Sequence, residues 1–561
     1  MKRALGGCFR TIRAVCAKFS VKMSGVSRDA PIGIQCIQRL SSWMCPRLRV
    51  NRLRCYQALV LALTYCTYLT YHLTRKPISV VKNVLHQNCS ALVPPPGTDP
   101  ADPQWCNWAP FNTDEANTLL GALDSAFLFS YAAAMFVSGM VAERVDLRYF
   151  LSLGMLVSAV FCYLFGVGRT YAVHSMPYYI LVQAGAGVAQ TTGWPGTVAV
   201  MSNWFGDGNR GLIFGLWNSH TSLGNILGTL MAAQYVETDW ALSFIYPALV
   251  MGAVGAAVCA LLPPEPRAVG LHVGGVGGVG RESPRTPRRS LQEDAPTQVV
   301  VGDQAASLRP ARHSTNTQEE EAGERTALLA PPPAPAGGSP PAISLARALA
   351  IPGVAEFSLS LFFAKLVSYT FLYWLPKYIQ TSTSLSPRQA GDLSTVFDVG
   401  GAVGAALAGY LSDAAGRAAL VCVGFYALAG PALMAYQAWG AASYGANVAL
   451  LALGGALVNG PYALITTAVS AELGTHSSLA GNTRALATVT AIIDGTGSIG
   501  AALGPMLAGV LSAHGSWPRV FYVLILCNYL ALFLLIRIAA QEFKKWRQER
   551  RLASPRLVRV E

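Results

Sequence analysis

Long apolar runs separated by short charged clusters decide most of what this chain can fold into. The stretches 56–73, 150–167, 242–262, 418–435 and 521–536 contain no Asp, Glu, Lys or Arg. A helix needs ~20 apolar residues to cross the hydrocarbon core of a bilayer. Other runs, 401–411 with its flanks and 491–511, are richer in glycine, which lets helices approach closely in lipid. The pattern predicts about twelve spans, near 55–81, 117–141, 149–168, 176–202, 211–235, 241–262, 348–378, 389–412, 418–438, 444–470, 484–512 and 518–539. Charged residues are only 13% of the chain, about half the share of a soluble protein. The fold class expected is therefore all-α and polytopic, with the membrane bilayer as its solvent.

The net charge of +13 is concentrated at the ends. The leader, 1–53, and the tail, 541–561, are strongly basic, which reads as cytosolic placement of both termini and requires an even number of spans. This distribution suits anionic lipid rather than nucleic acid. No cleavable signal peptide is evident. Two cysteines, Cys89 and Cys106, share the polar loop after the first span, on the expected lumenal side, and are a candidate disulfide. Asn88-Cys89-Ser90 in the same loop is a glycosylation sequon.

Residues 263–345 are rich in Gly, Pro, Ser, Arg and Glu and read as a disordered cytosolic linker. They divide an N-terminal six-helix bundle, 54–262, from a C-terminal one, 346–540. Within the linker, 324–329 has the form of an acidic dileucine sorting signal. The halves repeat. Gly139, Glu143 and Arg144 follow the second span, and Gly409, Asp413 and Arg417 follow the eighth. The glycine is expected to permit close helix approach. The acid and arginine are expected to pair across a short turn or with a neighbouring helix end. The fourth spans correspond as Gly193-Trp194-Pro195 and Asn459-Gly460-Pro461. Two such halves with a site at the midplane are a recurring transporter plan.

The doubled glycine-to-acid signature resembles the loop motif of the major facilitator superfamily. Arg75-Lys76-Pro77, Asn203-Trp204-Phe205-Gly206, Arg210-Gly211 and Trp217-Asn218-Ser219-His220 resemble the organophosphate:phosphate antiporters. Lys365-Leu366-Val367-Ser368-Tyr369, Trp374-Leu375-Pro376 and Asp494-Gly495-Thr496-Gly497-Ser498-Ile499-Gly500 are similar to the eukaryotic sugar-phosphate exchangers, nearest the glucose-6-phosphate exchanger branch of the endoplasmic reticulum. The likeness spans about residues 54–540. It implies exchange of a sugar phosphate for inorganic phosphate by alternating access, with no cofactor. It also implies arginines on the first and seventh helices that grip phosphate. Arg75 matches the first. Ser368 stands at the second position, with Lys365 one turn earlier on the same face. The fifth-helix histidine of bacterial members falls at Thr221, with His220 one place off.

Arg75 is the leading binding residue, because a guanidinium near the end of an apolar run is costly and its fork matches two phosphate oxygens. Lys365 is the second. On the first helix of each half, the two are expected to face one another across the pseudo-two-fold, a like-charged pair that a dianion neutralises as the halves close. Lys76, Trp217 and Asn218 are further candidate contacts, while Tyr71 and His72 read as packing. Asp398 and Asp494, inside later spans, read as structural partners for Lys365 or Arg484 ahead of a proton-carrying role in transport. There is no phosphate loop, no zinc-spaced cluster and no nucleophile elbow, so neither an enzyme nor a metal site is expected. Two rival readings stay open: an exchanger of phosphate or another organic anion, and a non-transporting membrane scaffold or sensor. Oligomeric state is left open.

Overall fold

A computed structural model describes residues 30–44, 51–94, 102–142, 144–205, 217–271, 345–474, 483–513 and 516–553. Residues 272–344 of the expected linker 263–345, with the dileucine-like sequence, the leader before residue 30, and Glu143 lie outside the described residues. All the regular secondary structure among the described residues is helical. A short α1 (Ile32–Met44) precedes the first half, which comprises α2 (Arg52–Arg75), α3 (Pro77–Leu85), α4 (Ala116–Ala142), α5 (Leu147–Thr170), α6 (Met176–Gln190), α7 (Gly193–Trp204), α8 (His220–Tyr235) and α9 (Leu242–Leu261). The second half comprises α10 (Leu345–Leu349), α11 (Val354–Ser382), α12 (Pro387–Ala415), α13 (Ala418–Trp439), α14 (Tyr444–Leu464), α15 (Ser470–Gly474), α16 (Thr483–Ser512) and α17 (Trp517–Ala553).

Among the described residues, nine helices are long and apolar enough to cross a membrane. The other three expected spans are helical but carry a reason for failing that measure. The first, α2, is long enough at 24 residues but too polar, with Thr64, Thr67, Thr70, Tyr71 and His72 on its buried side; it stops at Arg75 because Pro77 has no amide hydrogen and restricts Lys76, and α3 starts anew. The fourth is split between α6 and α7, just ahead of Pro195. The fifth, α8, has only 16 described residues. In the second half, Pro461 lies inside α14 and a π-helical turn, Ile465–Val469, follows it. Apolar side chains such as Leu153, Val403 and Phe533 point outward at 61–71% exposure, a surface made for lipid rather than water.

Small residues set the helix spacing. A Cβ built on Gly400 would lie 2.1 Å from the Ala452 carbonyl, and one on Gly404 would lie 2.0 Å from that of Ala456. These two glycines, one turn apart, let α12 and α14 touch backbone to backbone. The halves meet through α4 against α16 and α8 against α12, with α3 lying against α11. Cys89 and Cys106 are joined by a disulfide, and this marks one end of the bundle.

Among the described residues, hydrogen bonds between the halves gather toward the disulfide end. Asn117 Nδ2 donates to the Ser512 carbonyl at 3.1 Å and Ser125 Oγ to that of Ala502 at 3.2 Å. Arg388 binds Gln234 at 2.8 Å. The conformation is closed at that end.

Three segments differ from the sequence reading. The first residues of the expected linker are ordered: Pro266–Val269 form a 3-10 turn, and Val269 is buried in the core of the first half. Part of the basic leader folds as α1, whose Gly33 sits against Ala260 and Leu261 at the end of α9. The basic tail continues the last span as helix to Ala553, a run of strong helix formers.

Candidate functional site

Arg75 closes α2 and is 5% exposed. Its Nε donates to Gln190 Oε1 at 2.6 Å, and Gln190 Nε2 donates in turn to Thr74 Oγ1 at 3.1 Å. The guanidinium carbon lies 5.0 Å from the ring centre of Tyr131 and 5.7 Å from that of Phe127. Thr74, Arg75, Phe127, Gln190 and Tyr373 line a cavity of about 20 Å³ beside it. That volume holds a water molecule, and Lys365 is not among its walls.

Carboxylates are distributed unevenly among the buried cations. Lys76 pairs with Asp398 at 3.2 Å, Lys82 with Asp124, and Lys365 with Asp494 at 2.7 Å. Among the described residues Arg75 has no carboxylate partner. Its charge is held by one amide oxygen and two aromatic faces. A buried charge without a counter-charge is strongly unfavourable.

The expectation of two open cations facing each other is revised at Lys365. Its charge is already neutralised by Asp494, and its ammonium also lies 5.8 Å from the Tyr462 ring centre. Gly497 makes room for the lysine stem, since a Cβ there would lie 2.9 Å from Lys365 Cδ. Both cations face the protein interior. Tyr131 and Tyr369 lie within electrostatic reach of both. Ser368, at the second arginine position, donates to Asn459 Oδ1 at 2.6 Å. The side chain of Arg484 lies outside the described residues.

Lys76 turns away from Arg75 and bridges the halves. Besides Asp398 it donates to the Leu372 carbonyl at 3.3 Å. Asp398 Oδ1 accepts from Asn225 at 3.2 Å, and Asn225 Oδ1 lies 3.1 Å from His72 Nδ1. Trp217 is packed inside the first half, its Nε1 donating to Thr64 Oγ1 at 3.1 Å and its ring against Tyr68, Trp194 and His220. Asn218 is half-buried beside it, and neither lines the cavity. Tyr71 donates to or accepts from Thr192 at 2.8 Å, a packing contact between α2 and the α6–α7 break.

The repeated loop motif works differently from its expected form. Among the described residues no atom lies within 4 Å of a Cβ built on Gly139 or Gly409, so neither glycine mediates close approach between the described helices. Asp413 and Arg144 are exposed. Arg417 reaches the last helix instead, binding the Glu549 carboxylate and the Glu542 carbonyl. Glu542 in turn accepts from the amides of Ala419 and Leu420 and caps α13. Asn88 is exposed next to the disulfide, its Oδ1 accepting from Ser90 Oγ at 2.7 Å.

The Major Facilitator Superfamily family model matches residues 109–488 and 357–559. The glucose-6-phosphate exchanger SLC37A2 of Xenopus tropicalis is 48% identical over 509 residues, covering 90% of this chain and 97% of the relative. SLC37A2 of Homo sapiens is 47% identical, covering 88% and 94%. The glucose-6-phosphate exchanger SLC37A1 of Homo sapiens is 45% identical, covering 87% and 93%. The chain belongs to the major facilitator superfamily. A bacterial homologue of the human lysosomal transporter Spinster, inward-facing and occupied, superposes with a TM-score of 0.54 at 14% identity, over 88% of this chain and 97% of that one. This likeness is one of fold.

Within this superfamily fold, three site features escape a reading of the sequence. Gln190, Tyr131 and the Lys82–Asp124 pair surround or flank Arg75 without belonging to a motif. Their signal was polarity inside a span: Gln190 lies in 176–202, and Asp124 in 117–141.

Proposed function

We propose that this chain exchanges a sugar phosphate, glucose 6-phosphate first, for inorganic phosphate by alternating access between its two halves. The relatives at 45–48% identity are named for glucose 6-phosphate exchange, and they extend over nearly the whole chain. The observation that carries the site assignment is Arg75: interior, bound by a neutral amide, and without a carboxylate among the described residues. A phosphate group supplies the missing negative charge, and the guanidinium fork fits two of its oxygens.

Lys365 takes part by exchange of partners. A dianion needs a second positive charge, and Lys365 provides it when its ammonium leaves Asp494 for phosphate. Loading thus links α2 to α11, the first helices of the two halves. The Lys76–Asp398 contact and the hydrogen bonds at the disulfide end hold the present conformation and part in the other. The home membrane is the endoplasmic reticulum, with both termini cytosolic and the disulfide loop, carrying Asn88, in the lumen.

Proteoliposomes loaded with phosphate test the proposal. Uptake of labelled phosphate and of labelled glucose 6-phosphate, both lost in Arg75→Ala, is the expected result. Phosphate uptake alone points to a phosphate exchanger. No flux from folded protein refutes transport and leaves a scaffold or sensor.

A further inference from the structure

The closed end of the bundle carries a group of polar side chains that its closure does not satisfy. Lys377, on α11, is 3% exposed and has no carboxylate partner among the described residues. Among the described residues its ammonium donates only to backbone carbonyls of the opposite half, those of His86 and, at 3.5 Å, Lys82. Asn83, beside them on α3, is fully buried, and neither its amide nitrogen nor its amide oxygen has a hydrogen-bond partner among the described residues. Gln380, one turn beyond Lys377, donates to the Asn83 carbonyl at 3.3 Å while its own side-chain oxygen is unpartnered. Lys82 stands behind, neutralised by Asp124 and donating to the Tyr373 carbonyl at 3.2 Å.

Buried polar groups are almost always paired, so each exception asks for a reason. Every contact that satisfies Lys377 and Gln380 in part crosses between the halves. All of them are lost when the halves separate at this end. An ammonium with three donors and an amide with two are then left facing the solvent of the disulfide face, with one uncompensated positive charge among them.

We propose that Lys377, Asn83 and Gln380, with Lys82 and His86 flanking them, form a second anion site. It captures phosphate or a phosphate ester at the disulfide face before the ligand reaches Arg75. The donor set suits a tetrahedral oxyanion, since a lysine is a mobile point charge and the amides add direction. The inference rests on the exchange reading above. It adds a consequence: closure at this end leaves donors unsatisfied, so an anion arriving there stabilises the open state by differential binding.

The test uses the full chain in phosphatidylcholine vesicles at single-copy density. An amino-terminal affinity tag sorts the vesicles by which face is outward. Labelled inorganic phosphate is the probe. In Lys377→Gln, the apparent KM at the disulfide face is expected to rise about tenfold, with the opposite face unchanged. Lys377→Arg should restore the parent value, and Asn83→Leu should move it in the same direction.

A cluster that is only a latch gives the opposite sign. Loosening it favours the open state and lowers the KM at the disulfide face, and that result overturns the proposal. So does a KM unchanged in both Lys377→Gln and Asn83→Leu. A KM that follows added phosphatidic acid rather than the Lys377 substitution assigns the site to lipid phosphate and overturns capture of the free anion. A parent protein that exchanges nothing overturns the function itself, whereas normal exchange with unaltered variants overturns this inference alone.

Discussion

Replacing Asp494 with Asn separates the two roles of Lys365. The ion pair is interior: Lys365 keeps 5% of its side-chain surface and Asp494 16%, with nitrogen and oxygen 2.7 Å apart. Removing one partner of a buried pair costs about 3–5 kcal/mol, because the remaining charge is stranded. Asp494 retains some access, so the loss should lie near the lower limit, about 3 kcal/mol. The same change turns the site from one net positive charge into two, counting Arg75. An anion should then bind more tightly to the variant and offset part of the loss. At a phosphate concentration of about 100 times Kd the recovery is about 2.7 kcal/mol. Thermal unfolding in detergent, with and without phosphate, reads both effects. Asp494→Asn should unfold several degrees below the parent in phosphate-free buffer and regain most of that difference when phosphate is added, while the parent gains less. Equal stability of the two proteins without phosphate would refute the idea that the pair carries a buried charge. A variant that is destabilised but not rescued would refute the idea that phosphate can take the place of Asp494.

Three further results are expected. Asp124→Asn strands Lys82 where both partners have no exposed surface, so it should lose about 3–5 kcal/mol, whereas Lys82→Met with Asp124→Leu should lose less than either single change in thermal unfolding. Gly400→Val places a side chain within 2.1 Å of the Ala452 carbonyl and should push α12 from α14, costing at least about 1–3 kcal/mol and lowering flux; a parent-like melting temperature would show that the helices have slack. His86, in the loop after α3, is held below the ordinary histidine range by burial and by Lys377, against the Phe111 carbonyl and Asp114. Its proton is therefore bound more tightly when the disulfide end opens, and lowering the pH on that face below about 6.5 should favour opening. Labelling of Ala233→Cys by an impermeant thiol reagent, in a background without the free cysteines, should increase on acidification and lose that response in His86→Gln.

The helical architecture was legible in the sequence because the bilayer reads a property that is local. A run of about twenty apolar residues must satisfy its own backbone, so the helix follows from the run itself. The exceptions were equally local: Pro77 and Pro195 explain why two spans are split. Arg75 stood out for the same reason, a guanidinium in a run where charge is expensive. The glycine motifs were less transparent. Gly400 and Gly404 lie at a helix contact, while Gly139 and Gly409, singled out by repetition, meet no neighbour among the described residues. A glycine permits approach, but only a neighbour makes use of it.

What the sequence could not show was how the buried charges are compensated. Gln190 is 115 positions from Arg75, and Asp494 is 129 positions from Lys365. The sequence offered Asp398 and Asp494 as partners for Lys365 or Arg484 without deciding between them; Asp494 takes Lys365, and Asp398 takes Lys76 instead. The assignments depend on which helix turns come to face each other and at what distance, and Coulomb energy in a low-dielectric interior changes steeply with both. By itself the sequence determined the solvent, the helices, the doubled plan and the place of one buried cation. The tertiary structure decided which cations are already neutralised and left Arg75 without a carboxylate among the described residues, because charge balance belongs to neighbours in space rather than along the chain.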